Sequence, residues 1–112
     1  MKKILLLLLF TPLLALSQDF DDGMVAVEFN ASFNEANKVT WLSKLTDCDT
    51  KRVDITADSR WSKEYKIVVV PTIVIFNNNE EVKRFQANIM MTMEATLKDV
   101  QNSIDEIVME AF

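Results

Sequence analysis

Apolar runs alternate with polar turns along most of the chain, and their spacing predicts the elements. Met24 to Asn30 (MVAVEFN) is a short, nearly continuous apolar run, which predicts a strand buried on both faces, with Glu28 as its anomaly. Glu35 to Leu45 carries Ala36, Val39, Leu42 and Leu45 at helical spacing, with Asn34 placed as N-cap. Thr46 to Thr50 (TDCDT) reads as a polar loop, Arg52 to Thr56 (RVDIT) as a strand, and Asp58 to Tyr65 as a short helix. Residues 67–76 (IVVVPTIVIF) form the most strand-like segment of all. Asn77-Asn78-Asn79 then signals a turn, because asparagine tolerates the left-handed backbone that hairpins need. Glu81 to Ala87 is the returning strand, more polar and so nearer an edge. Thr92 to Met109 predicts a long amphipathic helix with Met93, Leu97, Val100, Ile104, Ile107 and Val108 on one face.

The resulting order is β-α-β-α-β-β-α, without repeats or internal linkers. A strand-helix-strand unit makes parallel neighbours by a right-handed crossover, and a hairpin adds antiparallel ones. The fold class is therefore α/β: a four-stranded mixed sheet with helices on both faces.

The first residues change the picture of where this domain resides. In MKKILLLLLFTPLLALSQ, Lys2 and Lys3 form a charged start, Ile4 to Leu9 an apolar stretch, and Ala15-Leu16-Ser17 a small-x-small cleavage site. Residues 1–17 thus predict a signal peptide and 18–112 a single exported domain, periplasmic or secreted. The apolar stretch is broken by Thr11-Pro12 and falls short of the ~20 residues of a membrane span. An uncleaved anchor is the alternative reading. Loss of Lys2 and Lys3 leaves 10 basic against 17 acidic side chains, so the net charge moves from −5 to −7. Such an excess of acid repels phosphate backbones and argues against a nucleic-acid partner.

The chain has no histidine, which removes the commonest general base and metal ligand together. The acidic pairs Asp21-Asp22 and Glu80-Glu81 lack partners for metal ligation and read as solvated surface. No metal or cofactor site emerges. Cys48 is the only cysteine, so an internal disulfide is excluded. Asp47 and Asp49 flank it and disfavour its thiolate. An odd exported cysteine also invites an intermolecular disulfide, which makes a Cys48-linked dimer an alternative. Asn30-Ala31-Ser32 matches a glycosylation sequon, a motif short enough to arise by chance. Met90, Met91 and Met93 read as core, with an adaptable binding surface as the other reading.

With these segments in order, VAVEFNASFNEANK resembles the strand-to-helix segment of the thioredoxin family: an apolar run, an acid, Phe, a short loop, then Cys-Gly-Pro-Cys-Lys. RVDIT resembles that family's next strand, YKIVVVPTIVIF the segment holding its cis-proline, and FNNNEEVKRFQA its hairpin. The resemblance runs from about Val25 to Ile107 and implies a thioredoxin-like fold. Few residues precede Met24, which implies a minimal form without the family's extra N-terminal strand and helix.

The departures bear on function. The two family cysteines fall at Asn34 and Asn37, and the Gly-Pro between them at Glu35-Ala36. The dithiol reaction needs a thiolate at a helix N-terminus and a second thiol to resolve the mixed disulfide. Asparagine offers neither, so the resemblance implies a redox-inactive scaffold, and Asn34 is expected to cap the helix. Pro71 takes the place of the family cis-proline, so Val70–Pro71 is expected to be cis. In the family that turn pairs its backbone with an extended peptide. This implies a peptide-binding surface made of Phe33, Asn34, Asn37, Val70, Pro71 and Thr72, serving an unidentified exported protein or peptide in a chaperone-like role. Glu28 takes the place of the family's buried acid and is expected to pair with Arg52 or to titrate high. Cys48 should lie about 16 Å from the loop, at 1.5 Å per helical residue. Two alternatives stand beside this reading: a thiol-disulfide oxidoreductase working through Cys48 or a partner's thiol, and a structural subunit of a cell-envelope complex.

Overall fold

A computed structural model describes residues 19–111. The leader read in residues 1–17 lies outside them. The sheet contains β1 (Met24–Asn30), β2 (Asp49–Asp54), β3 (Thr72–Asn77) and β4 (Glu80–Gln86), in the order β2-β1-β3-β4. β1 runs parallel to β2 and antiparallel to β3, and β3 antiparallel to β4. Among the described residues two α-helices accompany the sheet: α1 (Arg60–Glu64), a single turn, and α2 (Leu97–Glu110). Among the described residues no helix is long and apolar enough to cross a membrane.

The two-residue period of the central strands divides the core into two unlike faces. Val25, Val27 and Phe29 of β1 join Val74 and Phe76 of β3 beneath Phe20 and the half-buried Trp61 and Tyr65. Aromatic rings dominate this face, with the Phe20 and Phe76 centroids 4.9 Å apart. Ala26, Ile73 and Ile75 face the other way, against Val39, Leu42, Leu45 and the α2 residues Val100 and Ile104. Glu28 falls on this second, aliphatic side by the same alternation.

Several boundaries depart from the expected ones, each for a local reason. β2 starts at Asp49, three residues ahead of the alternation that suggested it, because Asp49 and Thr50 pair with Val25 and Ala26. TDCDT is therefore only partly a loop. β3 starts at Thr72 and not at residue 67: Pro71 has no N–H for a ladder, and Thr72 Oγ1 instead donates to Val69 O at 2.7 Å. α2 begins at Leu97, five residues after the expected start. Thr96 and Asp99 close a capping box there, with Thr96 N–H donating to Asp99 Oδ2 (2.9 Å) and Asp99 N–H to Thr96 Oγ1 (3.2 Å). Met90 and Met91, expected in the core, precede either start, lie in the β4–α2 loop and face solvent, while Met93 packs against the aliphatic core.

The largest departure is the expected helix from Glu35 to Leu45. Two 3₁₀ turns replace it, Ser32–Asn37 and Leu42–Lys44, with Lys38 extended between them (φ −61°, ψ 151°). In a continuous helix Val39 N–H would donate to the carbonyl of Glu35 and Val39 C=O would accept from Ser43. Neither bond forms. Val39 N–H donates to Glu28 Oε2 at 2.9 Å, and Val39 O accepts from Arg52 Nη2 at 2.6 Å. Side chains from β1 and β2 thus take both backbone groups that the helix would have used.

Candidate functional site

One end of the sheet gathers the residues singled out above. β1 ends at Asn30 and leads into the first 3₁₀ turn, while β3 starts at Thr72, paired with Phe29. The Val70–Pro71 peptide before it is cis. Ala87 N–H, just past β4, donates to Pro71 O at 3.0 Å and holds the turn from the far side. Among the described residues, no group of the chain accepts from Val70 N–H.

Asn34 is not a cap. The residue before the first 3₁₀ turn is Ala31, which has no side-chain acceptor, and Asn34 lies inside the turn with non-helical torsions (φ −114°, ψ 20°). Its side chain is buried and points across the loop. Asn34 Nδ2 lies within hydrogen-bond distance of Met91 O (3.1 Å), Asn30 Oδ1 (3.1 Å) and Val70 O (3.4 Å). Its Oδ1 accepts from Asn37 Nδ2 at 2.9 Å, and its backbone carbonyl from Asn30 Nδ2 at 3.2 Å. A cap would have served orphan N–H groups of its own helix. With no regular helix to cap, the amide serves carbonyls of two other loops. Asn30, the sequon residue, is half-buried and committed to this network.

Of the six residues proposed for a peptide surface, these bonds bring Asn34, Asn37 and Val70 together, and Pro71 and Thr72 follow Val70 in the chain. Thr72 is fully buried, so its side chain supports the turn from beneath and presents nothing to a ligand. Phe33 is 72% exposed beside Asn34. The sequence reading missed the rest of the apolar rim: Val68 (83% exposed), Ile89 (97%) and Met90 (74%). The signal that could have found the last two is their place between the returning strand and the helix, outside any periodic segment.

Glu28 is 1% exposed, and Arg52 Nη1 donates to its Oε1. Burial raises the Glu28 carboxyl above its usual range, against the opposing pull of the Val39 N–H bond and the Arg52 charge. A cavity of about 310 Å³ opens beside the pair, lined by Ser32, Arg52 and Asp54 among others. Ser32 Oγ donates to Asp54 Oδ2 at 2.6 Å, fixing the start of the loop, and Ser32 and Thr56 together hold the Asp54 carboxyl below its usual range.

Cys48 belongs to the other end of the sheet. Its neighbour Asp49 pairs with Val25, whereas Pro71 adjoins the Phe29–Thr72 pair. Four residues of strand, at ~3.3 Å each, put roughly 13 Å between those levels. The helix along which the separation was first reckoned does not form, and strand register separates the two instead. Burial pushes the thiol up to about 11, with Asp49 and Asp47 adding to the shift.

No protein-family model matches the chain, and no curated protein does. Solved structures do. A mutant thioredoxin from Halobacterium salinarum aligns with a TM-score of 0.61 at 20% identity, over 77% of this chain and 75% of that one. Schistosoma mansoni thioredoxin gives 0.61 at 21% identity, covering 85% and 86%. Fasciola hepatica thioredoxin gives 0.57 at 23% identity, covering 84% and 89%. Likeness at this level of identity speaks to architecture, and the architecture is a thioredoxin-like fold.

Proposed function

We propose that this protein is an exported, redox-inactive thioredoxin-like domain that binds an extended segment of another protein, in the manner of a chaperone or adaptor. The observation that carries this reading is the combination at one end of the sheet. The Val70 N–H of the cis-proline turn has no acceptor among the described residues. The turn is bonded through Asn34 to loops that carry the exposed Phe33, Ile89 and Met90, with Val68 exposed two residues ahead of Val70 and no thiol at that end. An extended peptide laid along the turn would accept from Val70 N–H, gaining affinity from main-chain pairing, while the apolar rim takes alternate side chains. Methionine suits such a rim because its unbranched, polarizable chain adapts to different partners. The leader read in residues 1–17 supports export.

Asn34 and Asn37 stand where a dithiol would have to be, and Cys48 is remote, partly buried and held protonated. The test is twofold. Purified mature protein and its Cys48→Ser variant are assayed for disulfide reduction with dithiothreitol, and both should stay at background. A ¹⁵N-labelled sample titrated with an unfolded, cysteine-free polypeptide should show shifts at Phe33, Val70 and Ile89, lost in Phe33→Ser. Turnover that disappears with Cys48 would overturn the proposal, as would shifts confined to the Cys48 end of the sheet.

A further inference from the structure

We propose that the Glu28–Arg52 ion pair is a latch on the backbone of Val39, and that it holds the Phe33–Asn37 loop forward by keeping residues 35–45 out of a continuous helix. Three observations carry this. The first is local preference: Ala36, Val39, Leu42 and Leu45 have helical spacing, and no proline or glycine occurs between Ser32 and Leu45. The segment therefore holds no obligatory helix breaker at Lys38. The second is that the pair engages both backbone groups of a single residue, Val39 N–H through Glu28 and Val39 C=O through Arg52. Those are the groups a helix needs at that point. The third is mutual dependence: Glu28 is buried, and a carboxylate there must keep its hydrogen bonds and its counter-charge.

The latch would hold the observed pair of 3₁₀ turns against a second arrangement, an unlatched helix. Arg52 is the accessible part of the latch, with its side chain 43% exposed and facing the cavity beside Ser32. Each residue that passes from extended to helical backbone shortens its advance from about 3.3 Å to about 1.5 Å. Unlatching would draw Asn34 back from the carbonyls of Val70 and Met91 and let the loops around the cis-proline turn separate. The effect on a bound peptide rests on the function proposed above, but the conformational claim does not.

Nuclear magnetic resonance on the protein without ligand tests the latch directly. In the wild type the Val39 amide should exchange with solvent slower than that of Thr40 by about tenfold or more, as befits an N–H bonded to a carboxylate. Equal rates would overturn the proposal. In the paired variant Glu28→Met with Arg52→Met, which removes both charges and keeps side-chain bulk, the carbon shifts of Lys38 to Trp41 should move to helical values. A folded paired variant that keeps extended shifts at Lys38 would also overturn it. Should that variant not fold, Arg52→Lys keeps the charge but offers one ammonium in place of a planar fork. It should release the Val39 carbonyl and speed Val39 exchange, and an unchanged rate would count against the latch.

Discussion

The two ends of the sheet both rely on asparagine, and they use it in opposite ways. At the hairpin end, Asn78 and Asn79 form a two-residue turn with φ of 53° and 66°, the left-handed pair that matches strand twist. Their side chains then accept from Gly23 N–H (2.8 Å) and Phe20 N–H (2.9 Å), fastening the N-terminal segment. At the cis-proline end, Asn34 sits in no special torsion for its own sake. Its amide is buried and binds groups 36 and 57 residues away in sequence. One end uses the local conformational tolerance of asparagine, the other its capacity to bridge distant backbone.

The largest expected effect comes from removing the charge that supports the cis-proline end. Arg52→Met leaves Glu28 buried without its partner and should cost about 2–3 kcal/mol in chemical denaturation, below the range for a fully buried pair because Arg52 is half in solvent. Asn34→Ala should follow, at about 2 kcal/mol, since it strands buried acceptors in two loops. Hydrogen exchange would locate that loss: protection should fall around residues 88–92 and hold at Asn78 and Asn79. A uniform loss across both ends would erase the contrast.

Asn78→Ala tests the other end. An L-residue with a Cβ at positive φ costs roughly 1–2 kcal/mol, and Asn78→Gly should recover most of it because glycine has no such penalty. Asn34→Gly should recover nothing, for its role lies in the amide group. The smallest effect is on pH dependence. Burial gives Glu28 a folded-state pKa above its unfolded one, so protonation favours the fold. Its contribution is complete below the ordinary value of 4.5 and disappears as pH rises through the folded-state value. Carboxyl shifts followed by pH titration should place Glu28 above the usual glutamate range, and Arg52→Met should move it higher. Comparing wild type with Glu28→Gln across that window isolates its share from carboxylates such as Asp19 and Glu81, which are shifted downward.

The same contrast explains what was legible in the sequence. The sheet, its mixed topology and the asparagine hairpin follow from short-range patterns: alternation, apolar runs and turn chemistry. The cis-proline end does not, because its conformation is decided by bonds between distant segments. No periodicity in residues 35–45 reveals that Val39 will give its backbone to Glu28 and Arg52. A capping rule applied to Asn34 presupposes a regular helix, which is absent at these residues. The exposed Ile89 and Met90 were hidden differently: both precede the predicted helix and belong to no periodic segment, so no pattern assigned them to a face. Phe33 and Pro71 were reached only through resemblance, since neither an aromatic nor a proline is informative alone.

The hairpin end has a practical consequence. Phe20 and Gly23 are bonded to the tip that joins β3 to β4, while β3 carries the chain away from Pro71 toward that tip. The polypeptide therefore enters the domain at the pole opposite the cis-proline turn. A label, purification handle or surface linkage attached through the N-terminal side would leave the exposed Phe33 and Ile89 clear of the attachment. Capture experiments built in that orientation present the whole apolar rim to whatever is passed over it.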